Sequence, residues 1–189
     1  MDQRGVYDFV TGHVASGETF FLVLQGPAGC GKSFLYKCLR QDLGGKIIFL
    51  APTGVAALLV AGSTIHSGLS LNPESKGITE VSNLGPLQKA FEGVKVIAID
   101  ESSMLGRRTF GQVVARLRDI FDGTGISLLL AGDAMQLPPV KQKPLWSKAT
   151  VTVDPEVPTG AAAEGAAAEG ATAPHGKVRR AIGWGKAKG

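Results

Sequence analysis

Gly26-Pro27-Ala28-Gly29-Cys30-Gly31-Lys32-Ser33 decides the fold, because the spacing G-x-x-x-x-G-K-[ST] is that of a loop built to cradle phosphate. Gly26, Gly29 and Gly31 permit a tight turn and let backbone N–H groups approach an anion, while the start of the following helix adds partial positive charge. The flanks fit. Phe20–Leu24 is a short apolar run of strand type, and Ser33–Leu43 reads as a helix with Phe34, Leu35, Cys38 and Leu39 on one face. The whole loop, Gly26 to Ser33, is the candidate nucleotide cradle, with Lys32 reaching the β/γ-phosphates of ATP and Ser33 ligating Mg²⁺. A glycine turn that merely joins strand to helix explains neither the Lys-Ser pair nor its placement.

Working outward, three more apolar runs read as buried strands. Ile47–Leu50 is one. Val94–Ile99 alternates little, as expected of a strand covered on both faces, and it ends in Asp100-Glu101. Opposite a phosphate loop, Asp100 suits Mg²⁺ through water, and Glu101 suits the orientation and deprotonation of an attacking water. Asp-Glu-Ser-Ser reads equally as a helix N-cap with first-turn acids, since Arg107–Phe121 follows with Phe110, Val113, Val114, Leu117, Ile120 and Phe121 at helical spacing. The last run, Ile126–Ala131, leads into Gly132-Asp133-Ala134-Met135-Gln136-Leu137-Pro138-Pro139. Its prolines forbid a regular helix, so polar Gln136 is delivered to the crevice at the carboxyl end of a sheet. The expectation is an α/β domain over 1–146, with a mainly parallel, doubly wound sheet and helices on both faces.

With 189 residues the chain is long enough for one such domain and an appendage. No apolar run is long enough to span a bilayer and no leader pattern opens the chain, so no membrane partner and an intracellular location are expected. Two cysteines and three histidines offer neither a disulfide framework nor a zinc ligand set. Cys30 sits near a lysine and a helix start, which favours the thiolate; it is also simply a small residue filling a loop. The formal net charge of +4 does not by itself point to nucleic acid. Residues 147–189 read as a low-complexity Ala/Gly/Glu linker without structure and a basic end, with Lys177, Arg179, Arg180, Lys186 and Lys188; that end suits phosphate backbones, an import signal or a solvated tail.

Between the phosphate loop and the acidic strand lie Ala51-Pro52-Thr53-Gly54-Val55-Ala56-Ala57 and Ser63-Thr64-Ile65-His66-Ser67. GPAGCGKS, APTGVAA, STIHS, IDESSML and GDAMQLPPV in this order resemble the first motor domain of the Pif-type DNA helicases, RecD relatives of superfamily one. The resemblance covers nearly all of 1–146. It implies a RecA-like domain that binds ATP and Mg²⁺. It also implies that Gln3 reads adenine, that Lys32 and Ser33 hold phosphate and metal, that Asp100 and Glu101 are metal carboxylate and catalytic base, and that Gln136 senses the γ-phosphate. Thr53, Gly54, Thr64 and His66 are implied contacts to single-stranded DNA; short hydroxyls suit phosphates and an imidazole suits stacking, although a lone histidine is more often a structural hydrogen-bonder.

Such helicases close two RecA-like domains around ATP, whereas no strand–helix alternation is read after Trp146. The expectation is therefore a first motor domain moving 5′ to 3′ by family, with little activity alone, either from a truncated or mis-assembled gene product or as an isolated module that borrows its second motor domain from a partner in trans. The alternative is a non-enzymatic nucleotide- or DNA-binding interaction module. A small-molecule kinase would require a lid and an acceptor segment where APTGVAA and GDAMQLPP stand. For a eukaryotic source the nucleus or mitochondrion is the expected location.

Overall fold

The apolar runs become the centre of one parallel sheet. In the computed structural model, which describes residues 2–73, 84–122, 124–133, 135–147 and 179–180, helix α1 (Gln3–Ser16) precedes strand β1 (Phe21–Gln25). Helix α2 (Lys32–Leu43) then leads to β2 (Ile47–Ala51), and the short α3 (Gly54–Leu59), β3 (Ser63–Thr64) and α4 (Ile65–Gly68) follow. After α5 (Gly85–Ala90) come β4 (Val96–Ile99), α6 (Arg107–Phe121), β5 (Ser127–Gly132) and β6 (Arg179–Arg180). The strand order is β3-β2-β4-β5-β1-β6, with every pair parallel. All residues of β4 and β5 are buried, the mark of strands covered on both faces.

Alternate residues of each strand serve opposite layers. Leu129 and Ala131 join Leu22, Leu24, Phe49 and Ala98 beneath α1 and α2, whose Val6, Val10, Leu35, Tyr36, Leu39 and Leu43 complete that cluster. Leu128 and Leu130 face the other way, with Ile97 and Ile99 against Ile65, Leu69, Val113, Leu117 and Ile120. The expected doubly wound arrangement, with helices on both faces, is present.

Two helix faces differ from expectation. On α2 the buried residues are Leu35, Tyr36, Leu39 and Leu43, whereas Phe34 is 63% exposed and Cys38 half-buried. The true stripe includes a tyrosine whose hydroxyl finds a partner, and apolarity alone favoured Phe34. Helix α6 has the expected bounds, but Val114 is exposed, and Thr109, Gln112 and Arg116 share the stripe with Val113, Leu117 and Ile120. Polar side chains enter there because partners meet them: Arg116 lies 3.6 Å from the Asp119 carboxylate, and Thr109 is bonded to Gln142.

The expectation for 147–189 falls largely outside the described residues. The exceptions are Ser147 and β6, which sits beside β1 with Arg179 opposite Leu22 and Arg180 opposite Val23. It occupies a sheet edge that otherwise offers unpaired backbone groups.

Candidate nucleotide and nucleic-acid site

Strand register brings the chemistry together. Parallel pairing sets Gln25 beside Gly132 and Ile99 beside Leu130, so β1, β4 and β5 end along one edge. Because β5 lies between β1 and β4, its terminus separates the phosphate loop from the acidic pair. Gly26 N–H extends the ladder by donating to the Gly132 carbonyl at 3.0 Å.

The loop then turns through left-handed backbone at Gly29 (φ 76°) and Gly31 (φ 89°), conformations that favour glycine. Gly31 is the N-cap of α2 and supplies no side-chain cap. Lys32 folds back, its Nζ donating to the Gly26 carbonyl at 2.7 Å and the Pro27 carbonyl at 3.2 Å. Pro27, Ala28 and Ser33 are exposed at the mouth of the cradle, with Cys30 half-buried. From α1, Gln3 reaches the same loop, its Nε2 donating to the Cys30 carbonyl at 2.8 Å. A Cβ at Gly31 would sit 2.0 Å from that nitrogen and would displace the Gln3 side chain from the loop. Beside Gln3, a cavity of about 450 Å³ opens between α1 and α2, lined by Arg4, Tyr7, Phe34, Leu35 and Asp42 among others.

Asp100 and Glu101 follow β4 directly. Tyr36 donates its hydroxyl to Asp100 Oδ1 at 2.8 Å, and burial, reinforced by the Asp100 charge, holds the Tyr36 pKa well above its usual value, so it remains a donor. Glu101 takes left-handed backbone (φ 49°, ψ 41°), a conformation that costs a non-glycine residue on the order of 1–3 kcal/mol and concentrates at functional sites. Burial raises the Glu101 carboxyl pKa, Asp100 raises it further, Lys32 opposes, and Asp133 adds to the rise. The reading of Asp100-Glu101 as caps of α6 is not met: that helix is capped at Gly106, has no first-turn acid, and is separated from Glu101 by a 3₁₀ turn over Ser102–Met104.

Gly132 ends β5 against that turn. A Cβ there would lie 2.8 Å from Ser102 Oγ and 2.9 Å from Ser102 N, so only glycine lets the two segments touch. Beyond it, Asp133 Oδ1 accepts from Met135 N–H at 3.0 Å, and half-buried Gln136 is tied by its own N–H to the Asp133 carbonyl at 3.0 Å. The far end of this loop is anchored too. Gln142 Oε1 accepts from Thr109 N–H at 3.2 Å, its Nε2 donates to Thr109 Oγ1 at 2.9 Å, and Arg107 N–H donates to the Lys143 carbonyl at 3.0 Å.

Thr53, Gly54, Thr64 and His66 lie farther along the same edge, where Ala51 of β2 pairs with Thr64 of β3. Thr53 Oγ1 caps α3 by accepting from Ala56 N–H, and Thr64 Oγ1 caps α4 by accepting from Ser67 N–H, each at 3.2 Å. Gly54 is exposed, and a Cβ on it would meet nothing within 4 Å; His66 is half-buried.

Sequence reasoning gave no role to Tyr36, Gly132, Asp133 or Gln142. A tyrosine one turn after the phosphate-loop lysine, on a helix that packs on the sheet, was the available signal for Tyr36, since a buried hydroxyl needs a partner. Asp-x-Met after a strand signalled an Asx turn. Nothing local marked Gln142.

The fold and this edge define a RecA-like P-loop domain. The PIF1-like helicase family model matches residues 1–153, and the chain belongs to that family. It is 36% identical over 135 residues to the zebrafish (Danio rerio) ATP-dependent DNA helicase PIF1, covering 67% of this chain and 21% of that protein. It is 35% identical over 131 residues to the Saccharomyces cerevisiae ATP-dependent DNA helicase RRM3, covering 62% of this chain and 18% of that protein. The chain thus spans about a fifth of the length of the curated relatives it matches. Among solved structures, Pif1 helicase from Bacteroides in complex with ADP-AlF3 and ssDNA superposes with a TM-score of 0.62 at 27% identity, covering 76% of this chain and 35% of that one. Bacteroides Pif1 bound to ssDNA gives 0.60 at 26%, covering 74% and 33%.

Proposed function

We propose that this chain is the ATP-binding motor domain of a DNA helicase that couples hydrolysis to 5′–3′ movement on single-stranded DNA. The observation that carries this reading is the convergence of the phosphate loop, Asp100-Glu101 and the Gln136 loop on three adjacent strand ends. Lys32 leaves the carbonyls of Gly26 and Pro27 to pair with β/γ-phosphate oxygens, and Gln3 orients the base beside the α1/α2 cavity. Hydroxyl and carboxylate oxygens are hard donors, so Ser33 and Asp100 fit Mg²⁺, which when bound neutralises charge on the phosphates. Glu101 accepts a proton from the water that attacks the γ-phosphorus as the bond to the bridging oxygen breaks, and its raised pKa makes it the stronger base. Gln136, fixed at both ends of its loop, orients that water. The family comparison supports these roles, as does the Bacteroides relative's complex with ADP-AlF3 and ssDNA.

Thr53 and Thr64 accept from their own helices and keep hydroxyl protons to donate to DNA phosphates, with His66 beside them. A transition-state arginine supplied by a second motor domain is worth about 10³–10⁵ in rate, so turnover measured without one is expected to be slow. Steady-state ATPase assays and single-strand binding by fluorescence anisotropy test the proposal. The expected result is nucleotide and DNA binding with affinity for DNA falling as salt rises, and weak turnover that Glu101→Gln removes. DNA and nucleotide binding with no turnover sensitive to Glu101 would leave an interaction module instead.

A further inference from the structure

We propose that Tyr36 is a positioning residue that aims the Asp100 carboxylate at the cation of the bound nucleotide, an inference that rests on the nucleotide reading above. Tyr36 lies one turn beyond Lys32 on α2 and three residues beyond Ser33, on the helix that carries both proposed contacts to phosphate and metal. Its ring is buried and meets Phe49 of β2 with centroids 5.3 Å apart, so its orientation is set by the core. From there the hydroxyl donates to Asp100 Oδ1 at 2.8 Å, across 64 residues of sequence. The bond joins α2 to the end of β4, and so links Ser33 with Asp100, the pair of side chains proposed to hold one ion. With Oδ1 engaged by a donor the core holds in place, rotation of the carboxylate is restrained, and in this proposal Oδ2 would be the oxygen offered to the cation. Outer-sphere partners of metal carboxylates act in this way, through orientation rather than contact.

The chemistry separates this role from mere satisfaction of a buried hydroxyl. Tyr36→Phe keeps the ring and its packing and removes only the donor. For the full 189-residue chain, fluorescent ADP is titrated in EDTA and then with rising Mg²⁺. The expected result is that Tyr36→Phe leaves the affinity in EDTA unchanged and raises the Mg²⁺ concentration for half-maximal tightening about tenfold. Asp100→Asn should abolish the same dependence, and adding Tyr36→Phe to it should change nothing more, because the two act through one carboxylate. An identical Mg²⁺ midpoint in wild type and Tyr36→Phe would overturn the proposal, as would an undiminished Tyr36→Phe effect in the Asp100→Asn background. Failure of the wild type to bind ADP at all would instead remove the nucleotide reading and this inference with it.

A second measurement is independent of the variant's folding. The chain has two tyrosines, so a Tyr7→Phe protein labelled with 3-fluorotyrosine reports Tyr36 alone. Its fluorine resonance should shift when Mg²⁺ is added to the ADP-bound protein; a resonance that ignores Mg²⁺ would overturn the proposal.

Discussion

Two strand-to-helix junctions on the same edge of the sheet are built in opposite ways. After β1 the chain takes a glycine loop and enters α2 through Gly31, which gives the helix no side-chain cap. After β2 it takes only Pro52-Thr53 and enters α3 with the Thr53 hydroxyl already bonded to Ala56 N–H; Thr64 does the same for α4. A helix start without a cap leaves its first N–H groups in want of an acceptor. At α2 that want is joined by a lysine, a combination that a phosphate would meet; at α3 and α4 a threonine hydroxyl of the protein accepts from the first turn instead. The junctions thus divide the proposed labour between a ligand the domain encloses and a strand it slides along.

The largest effect that tests this contrast is at Lys32. Lys32→Ala should weaken Mg-ADP binding about 10–100-fold by calorimetry, since a charge-assisted hydrogen bond is worth about 1.5–3 kcal/mol. Unchanged affinity would mean the uncapped junction is not the phosphate site. Next comes the backbone contact that seats Glu101. Gly132→Ala should lower unfolding free energy by about 1–3 kcal/mol in urea, because the new Cβ meets Ser102 backbone and hydroxyl at under 3 Å and the 3₁₀ turn must move. A variant as stable as wild type would show that the β5 terminus and the turn are not in contact.

Thr53→Ala should cost about 1 kcal/mol of stability through loss of the cap while leaving Mg-ADP affinity alone, so that denaturation and calorimetry separate the junctions. Loss of nucleotide affinity in this variant would merge the two. The smallest effect is expected at Gly54, where a side chain meets open space: Gly54→Ala should be neutral or stabilising by up to about 1 kcal/mol in the same melt. Weaker binding of single-stranded oligonucleotide by Gly54→Ala, with stability intact, would then place DNA close to that backbone; unaltered binding would move the path elsewhere.

Much of this molecule is legible in local patterns of its sequence. The phosphate loop is legible because glycine spacing and a Lys-Ser pair are properties of eight consecutive residues. Helix α6 has the bounds its periodicity indicates, β4 lies inside the apolar run that announced it, and β5 runs one residue past its own, to Gly132. Asp100, Glu101 and Gln136 were found as polar residues just past buried strands, a local signal again. Tertiary structure alone decided what lies beside what. Strand order is not a property of any segment, and it is the insertion of β5 between β1 and β4 that brings the end of β5, with Asp133 after it, between the loop and the acids. The Tyr36–Asp100, Gln3–Cys30 and Gln142–Thr109 bonds join residues far apart in the chain, each settling a buried or half-buried polar group that needs a partner regardless of its distance in sequence. The burial of Arg116 and the exposure of Phe34 reverse what hydropathy indicates for the same reason: a helix face is chosen by the surface it docks on, and that surface is assembled from distant strands.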